Sequence, residues 1–88
     1  MAEALIGKIT HYFSRAGVAV LSLDTPLRKG EWIRIRGHTT DLRQHVESME
    51  IHHRQIEEAK PGDDVAIQVS DRVRVGDSVY REEPGGGS

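Results

Sequence analysis

Apolar residues recur along this chain at every second position more often than at helical spacing, and that period predicts strands. Leu5 to Phe13 reads as a first strand with Leu5, Ile9 and Phe13 on one face, and Gly7 inside it marks a bulge or bend. Ser14 to Gly17 supplies a turn into Val18–Leu23, which is apolar on both faces as a covered strand would be. A turn over Pro26 to Glu31 leads into Trp32–Arg36, whose alternation sends Ile33 and Ile35 inward and Trp32, Arg34 and Arg36 outward. Gly37 to Thr40 closes a hairpin onto a long strand from Asp41 to about His53. The inward set there changes parity from Leu42 and Val46 to Met49 and Ile51, so a bulge is expected near Ser48. Ile56 to Ala59 suits a short turn of helix, ended by Pro61-Gly62. Val65, Ile67 and Val69 make a fifth strand, and Val73, Val75, Val79 and Tyr80 a short sixth.

Six short strands without a long amphipathic helix predict an all-β fold, and in so small a chain the expected form is a closed six-stranded antiparallel barrel. Closure removes exposed edges and lets one layer of side chains fill the interior. Composition supports strands: Val, Ile and Thr total 19, against 11 for Ala and Leu. The 88 residues make one domain over residues 1–81, with 82–88, acidic and Gly-rich, as a flexible C-terminal tail.

Candidate chemistry narrows quickly. The chain has no Cys, which removes disulfides, thiolate zinc and thiol nucleophiles. No apolar stretch is long enough to cross a membrane and the first residues do not form a secretion signal, so a cytoplasmic protein with no membrane partner is expected. His52 and His53, read as neighbours on a strand, point to opposite faces, so no metal site is expected from the five His residues. The paired acids Glu57-Glu58 and Asp63-Asp64 flank a turn, and no Ser sits in a recognisable nucleophile turn, so no enzyme activity is expected. The formal charge of −2 is uneven, at +2 over residues 28–54 and −4 over residues 55–88. Trp32, Arg34 and Arg36 share an outward face, and hairpin pairing brings Arg43 and His45 beside them. Cations next to an aromatic ring suit phosphates and an unpaired base, although like charges held opposite one another cost stability.

One turn recurs three times, as Leu27-Arg28-Lys29-Gly30-Glu31, Ala59-Lys60-Pro61-Gly62-Asp63 and Val73-Arg74-Val75-Gly76-Asp77. Gly30, Gly62 and Gly76 are structural turn residues, supplying the positive φ, and the acid that follows accepts hydrogen bonds from the turn's N–H groups. Taken with Val46 to His53, Ile56 to Ala66 and Val75 to Val79, these turns make the chain from Ile6 to Tyr80 resemble the β-barrel domain of translation GTPases, the second domain of elongation factor Tu. No Gly-x-x-x-x-Gly-Lys-Ser/Thr loop is present, so neither a nucleotide nor another cofactor is expected.

The resemblance implies a stand-alone translation-type barrel that binds RNA, either a transfer-RNA 3′ end or a ribosomal element. It places Glu50 where the family holds the terminal adenosine, with His53 where the family often has Arg and Asp64 where it has Asn. The expected RNA site is therefore Trp32, Arg34, Arg36, Arg43, Glu50 and His53. The alternative is a protein partner: similar barrels occur as C-terminal domains of collagenase-like peptidases, supporting a separate catalytic domain.

Overall fold

The computed structural model describes residues 3–82, and they form strands and turns throughout. The strands are β1 (Glu3–Phe13), β2 (Val18–Leu23), β3 (Leu27–Arg28), β4 (Trp32–Arg36), β5 (Asp41–His45), β6 (Met49–Ile51), β7 (Arg54–Ile56), β8 (Glu58–Ala59), β9 (Asp64–Gln68) and β10 (Ser78–Glu82). Eight of them make one antiparallel sheet in the order β5-β4-β10-β1-β2-β9-β6-β7, and β3 with β8 makes a small second ladder. The expected helical turn at Ile56 to Ala59 is absent because Ile56 pairs with Met49 and Glu58 with Arg28. No helix among the described residues is long and apolar enough to cross a membrane.

The expected closed six-stranded barrel is not formed. The sheet is open, because no ladder joins β5 at one end to β7 at the other. The cause is a break in the expected long strand. Val46 is held by main-chain bonds outside the ladder: its C=O accepts from Gly30 N–H at 2.8 Å and its N–H donates to Glu31 C=O at 2.9 Å. The chain then leaves β4, and Met49 and Glu50 pair instead with Ile67 and Ala66 of β9. A side chain instead ties β5 to the end of β9: Gln44 donates from Nε2 to Gln68 C=O at 2.7 Å and accepts from Ser70 N–H at 2.9 Å. The sheet curls enough for Ile6, Leu21, Ile33, Met49, Ile67 and Val79 to share one buried cluster.

Two register shifts reset the first strand. In β1, Leu5 pairs with Tyr80 and Gly7 with Val79, which leaves Ile6 as the extra residue, and a second shift lies between Ile9 and His11. Ile6 and Ile9 are therefore buried, while Leu5 and Phe13, expected on one face with Ile9, are 47% and 52% exposed. The sixth strand also starts later than expected, at Ser78, with Val75 exposed in the turn before it. At the other end, β10 includes Glu82, the first residue of the expected tail, and residues 83–88 lie outside the described residues. Glu3 and Glu82 are partners in the β1–β10 ladder.

The three repeated corners share one construction. Gly30, Gly62 and Gly76 have φ of 97, 90 and 94°, which suits the third residue of a type II turn. In each, the acid's N–H donates back three residues, to Arg28, Lys60 and Arg74 C=O at 3.2, 3.0 and 3.1 Å. Its carboxylate accepts from those same residues' N–H groups, at 2.7, 2.8 and 2.8 Å. Asp77 is the buried member, 5% exposed, and it fits because Gly37 has no side chain: a Cβ there would lie 1.9 Å from Asp77 Oδ1. Asp77→Ala is therefore expected to cost about 1–2 kcal/mol in urea denaturation, and more than Asp63→Ala, whose site water reaches.

Candidate functional site

The six residues expected to bind RNA fall into two separate regions. Trp32, Arg34, Arg36 and Arg43 lie together on β4 and β5, where Trp32 pairs with His45 and Arg34 with Arg43. The Arg43 guanidinium stacks over the Trp32 ring at 4.2 Å and the His45 ring lies 4.9 Å from it. Each cation here already has an anion. Arg34 meets Asp41 at 3.1 Å and Glu3 at 3.6 Å, Arg36 meets Glu3 at 3.1 Å, and Arg43 Nε donates to Glu82 at 2.5 Å. Three guanidiniums thus face three carboxylates, which offsets the Arg34–Arg43 repulsion and leaves no surplus of positive charge for phosphates.

Glu50 and His53 sit elsewhere, at the rim of a groove of about 710 Å³ on the outer face of β2, β9 and β6. The register runs His11, Val20, Ala66, Glu50 and Gln55 in one row across five strands. A neighbouring row holds Phe13, Val18 and Gln68, and the next beyond Val20 holds Ser22 and Asp64. Val18, Val20 and Ala66 are half-buried and no other described residue covers them. The expectation of a covered β2 thus fails on its outer side.

One wall of the groove is the β6–β7 hairpin. His52 and His53, expected on a strand with opposed side chains, are instead its two turn residues, with φ of 52 and 65°. A two-residue hairpin of this kind needs positive φ at both positions and usually carries Asn-Gly. Two His there hold an uncommon backbone conformation at the groove's edge. No three His, Asp or Glu among the described residues converge as metal ligands. A hydroxyl–imidazole contact exists at Thr10 Oγ1 and His11 Nδ1, 3.3 Å apart, with no acid among the described residues bonded to the ring.

Comparison with known proteins favours the second of the two expected readings over the first. No protein-family profile matches the sequence. An uncharacterized protease of Methanocaldococcus jannaschii is 37% identical over 76 residues, 85% of this chain and 19% of the protease. A collagenase of Porphyromonas gingivalis is 37% identical over 81 residues, 90% of this chain and 22% of the collagenase. These relatives are peptidases. The chain spans about a fifth of their length. In fold it matches the C-terminal domain of a Geobacillus thermoleovorans protein assigned to the U32 peptidases, with a TM-score of 0.85 at 17% identity, over 91% of this chain and 93% of that one. The resemblance to a translation factor is thereby overturned, and with it the RNA-binding reading and its transfer-RNA or ribosomal partner. The neutralised guanidinium face agrees with this correction on physical grounds.

Proposed function

We propose that the chain is a non-catalytic accessory domain that works with a separate peptidase domain by binding polypeptide. The observation that carries this is the match of nearly the whole chain to about a fifth of a protease and a collagenase. Its uncovered apolar groove supports the reading, since contiguous apolar surface with a polar rim suits a protein ligand. Trp32 adds a second exposed aromatic surface, and with Arg34, Arg36 and Arg43 it forms a neutral ion-paired patch fit for a protein contact rather than for RNA.

The test mixes the chain with the Porphyromonas gingivalis collagenase lacking its matched 81-residue segment. The expected outcome on size-exclusion chromatography is a complex that persists at high salt, because its contact is mainly apolar. The chain alone is expected to leave casein and gelatin uncut. Cleavage by the chain alone, or no complex at any salt concentration, overturns the proposal.

A further inference from the structure

We propose that the groove on the outer face of β2, β9 and β6 binds an extended polypeptide segment in which apolar residues are followed, two and four positions later, by Lys or Arg. This rests on the accessory-domain reading for the class of partner and on the groove's own layout for the sequence preferred.

The layout is polarised. Phe13 and Val18, cross-strand partners, make one end apolar. Val20 and Ala66, partners in the next row, continue the apolar floor. Glu50 lies beside Ala66 in that row, and Asp64, two residues before Ala66 on β9, projects from the same face. Asp64 thus stands at the end away from Phe13, with Asp63 beside it in the corner that precedes β9, and Glu50 flanks the middle row.

These charges are unspent. The groove is lined by three carboxylates and by no Lys or Arg, and no ion pair among the described residues uses Glu50, Asp63 or Asp64. Asp63 is occupied in capping Lys60 N–H, so Glu50 and Asp64 are the acids that would meet a cation. Lys8 flanks the same row as Asp64 but stands two strands from it, about 10 Å, and is not part of the lining. Burial of Glu50 is partial, which strengthens its attraction for a cation relative to open water.

Spacing selects an extended ligand. Outward side chains along β2 and β9 recur every second residue, about 6.6–7 Å apart, and so do those on one face of an extended peptide. Two apolar side chains at alternate positions meet the Phe13–Val18 and Val20–Ala66 rows, and the next two alternate positions fall in the Asp64 row and just beyond it, from which long Lys or Arg side chains reach Asp64 and, one row back beside Ala66, Glu50. The His52-His53 turn stands at the rim as a wall that confines the peptide to this line.

The test is fluorescence anisotropy on the full chain with a labelled peptide, Val-Ser-Val-Ser-Lys-Ser-Lys, compared with Val-Ser-Val-Ser-Glu-Ser-Glu and with the reversed order of the first. The expected result is saturable binding of the first peptide, weaker by about tenfold or more for the Glu peptide. Glu50→Lys is expected to lose about tenfold for the Lys peptide and to gain for the Glu peptide, a change of preference that misfolding would not produce. Val20→Thr keeps shape and strand preference and is expected to weaken both peptides. Equal binding of the Lys and Glu peptides, or unchanged preference in Glu50→Lys, overturns the proposal, as does a self-paired chain that excludes the probe across this face. The two readings fail separately: a collagenase complex unaffected by Glu50→Lys leaves the accessory role without this groove, and peptide binding without a complex leaves the groove without that role.

Discussion

Gly7→Ala is expected to lower the thermal unfolding midpoint by about 10 °C or more. A Cβ at Gly7 would lie 2.2 Å from Ser22 C=O oxygen, 3.1 Å from Ser22 C and 3.2 Å from Leu23 Cα. All three are backbone atoms of β2, so no side chain can turn aside to make room. Relief requires β1 and β2 to part at the Gly7–Leu23 pair, next to the bond from Asp24 N–H to Ile6 C=O at 2.7 Å and over a fully buried Leu23. A cost of about 3 kcal/mol or more is a large share of the stability of a domain this small. Differential scanning calorimetry of the two proteins decides it, and a shift below about 2 °C would show that the strands do not approach so closely.

Leu21→Ala is expected to cost about 2–5 kcal/mol. Leu21 is 0% exposed on β2, a central strand whose neighbours β1 and β9 hold it in place, so the cavity left behind cannot collapse easily. The adjacent Val20 points to the groove and is half-buried, and Val20→Thr is expected to be nearly neutral for stability. Urea denaturation should show a lower midpoint for Leu21→Ala with an unchanged slope, and the midpoint of Val20→Thr close to that of the parent. Equal losses at the two positions would mean that β2 is not sided as described.

Much of the fold was legible because a period of two is hard to mistake where pairing is regular. Ile33 and Ile35 lie inward and Trp32 outward as alternation requires, and the bulge expected at Gly7 is present. The same period misleads after a bulge, since each extra residue reverses every later side chain. Two shifts within β1 therefore separate Leu5 and Phe13, both exposed, from the buried Ile9 with which alternation grouped them. The break at Val46 was hidden because it is made by main-chain bonds to Gly30 and Glu31, which no side-chain pattern reports. The tight turn at His52-His53 was hidden because neither residue is a usual hairpin turn former.

The groove itself had left a signal. A strand apolar on both sides needs cover on both, and a short chain without a long helix has no second layer to provide it. Val18 and Val20 thus marked an uncovered surface, although they read as a buried strand. The guanidinium face misled for the opposite reason, because its neutralising acids Glu3 and Glu82 come from the far ends of the chain. The likeness to a translation factor rested on the Gly-acid corners, which report how a ribbon turns and carry no information about a ligand.

The Glu3–Glu82 pairing in the outer ladder brings the point of entry and the point of exit side by side. A host polypeptide joined at either of these residues would suspend the module from the same spot. Linkage upstream or downstream would therefore present the same faces to the rest of the assembly, and a hinge there would let the whole unit swing without disturbing its interior.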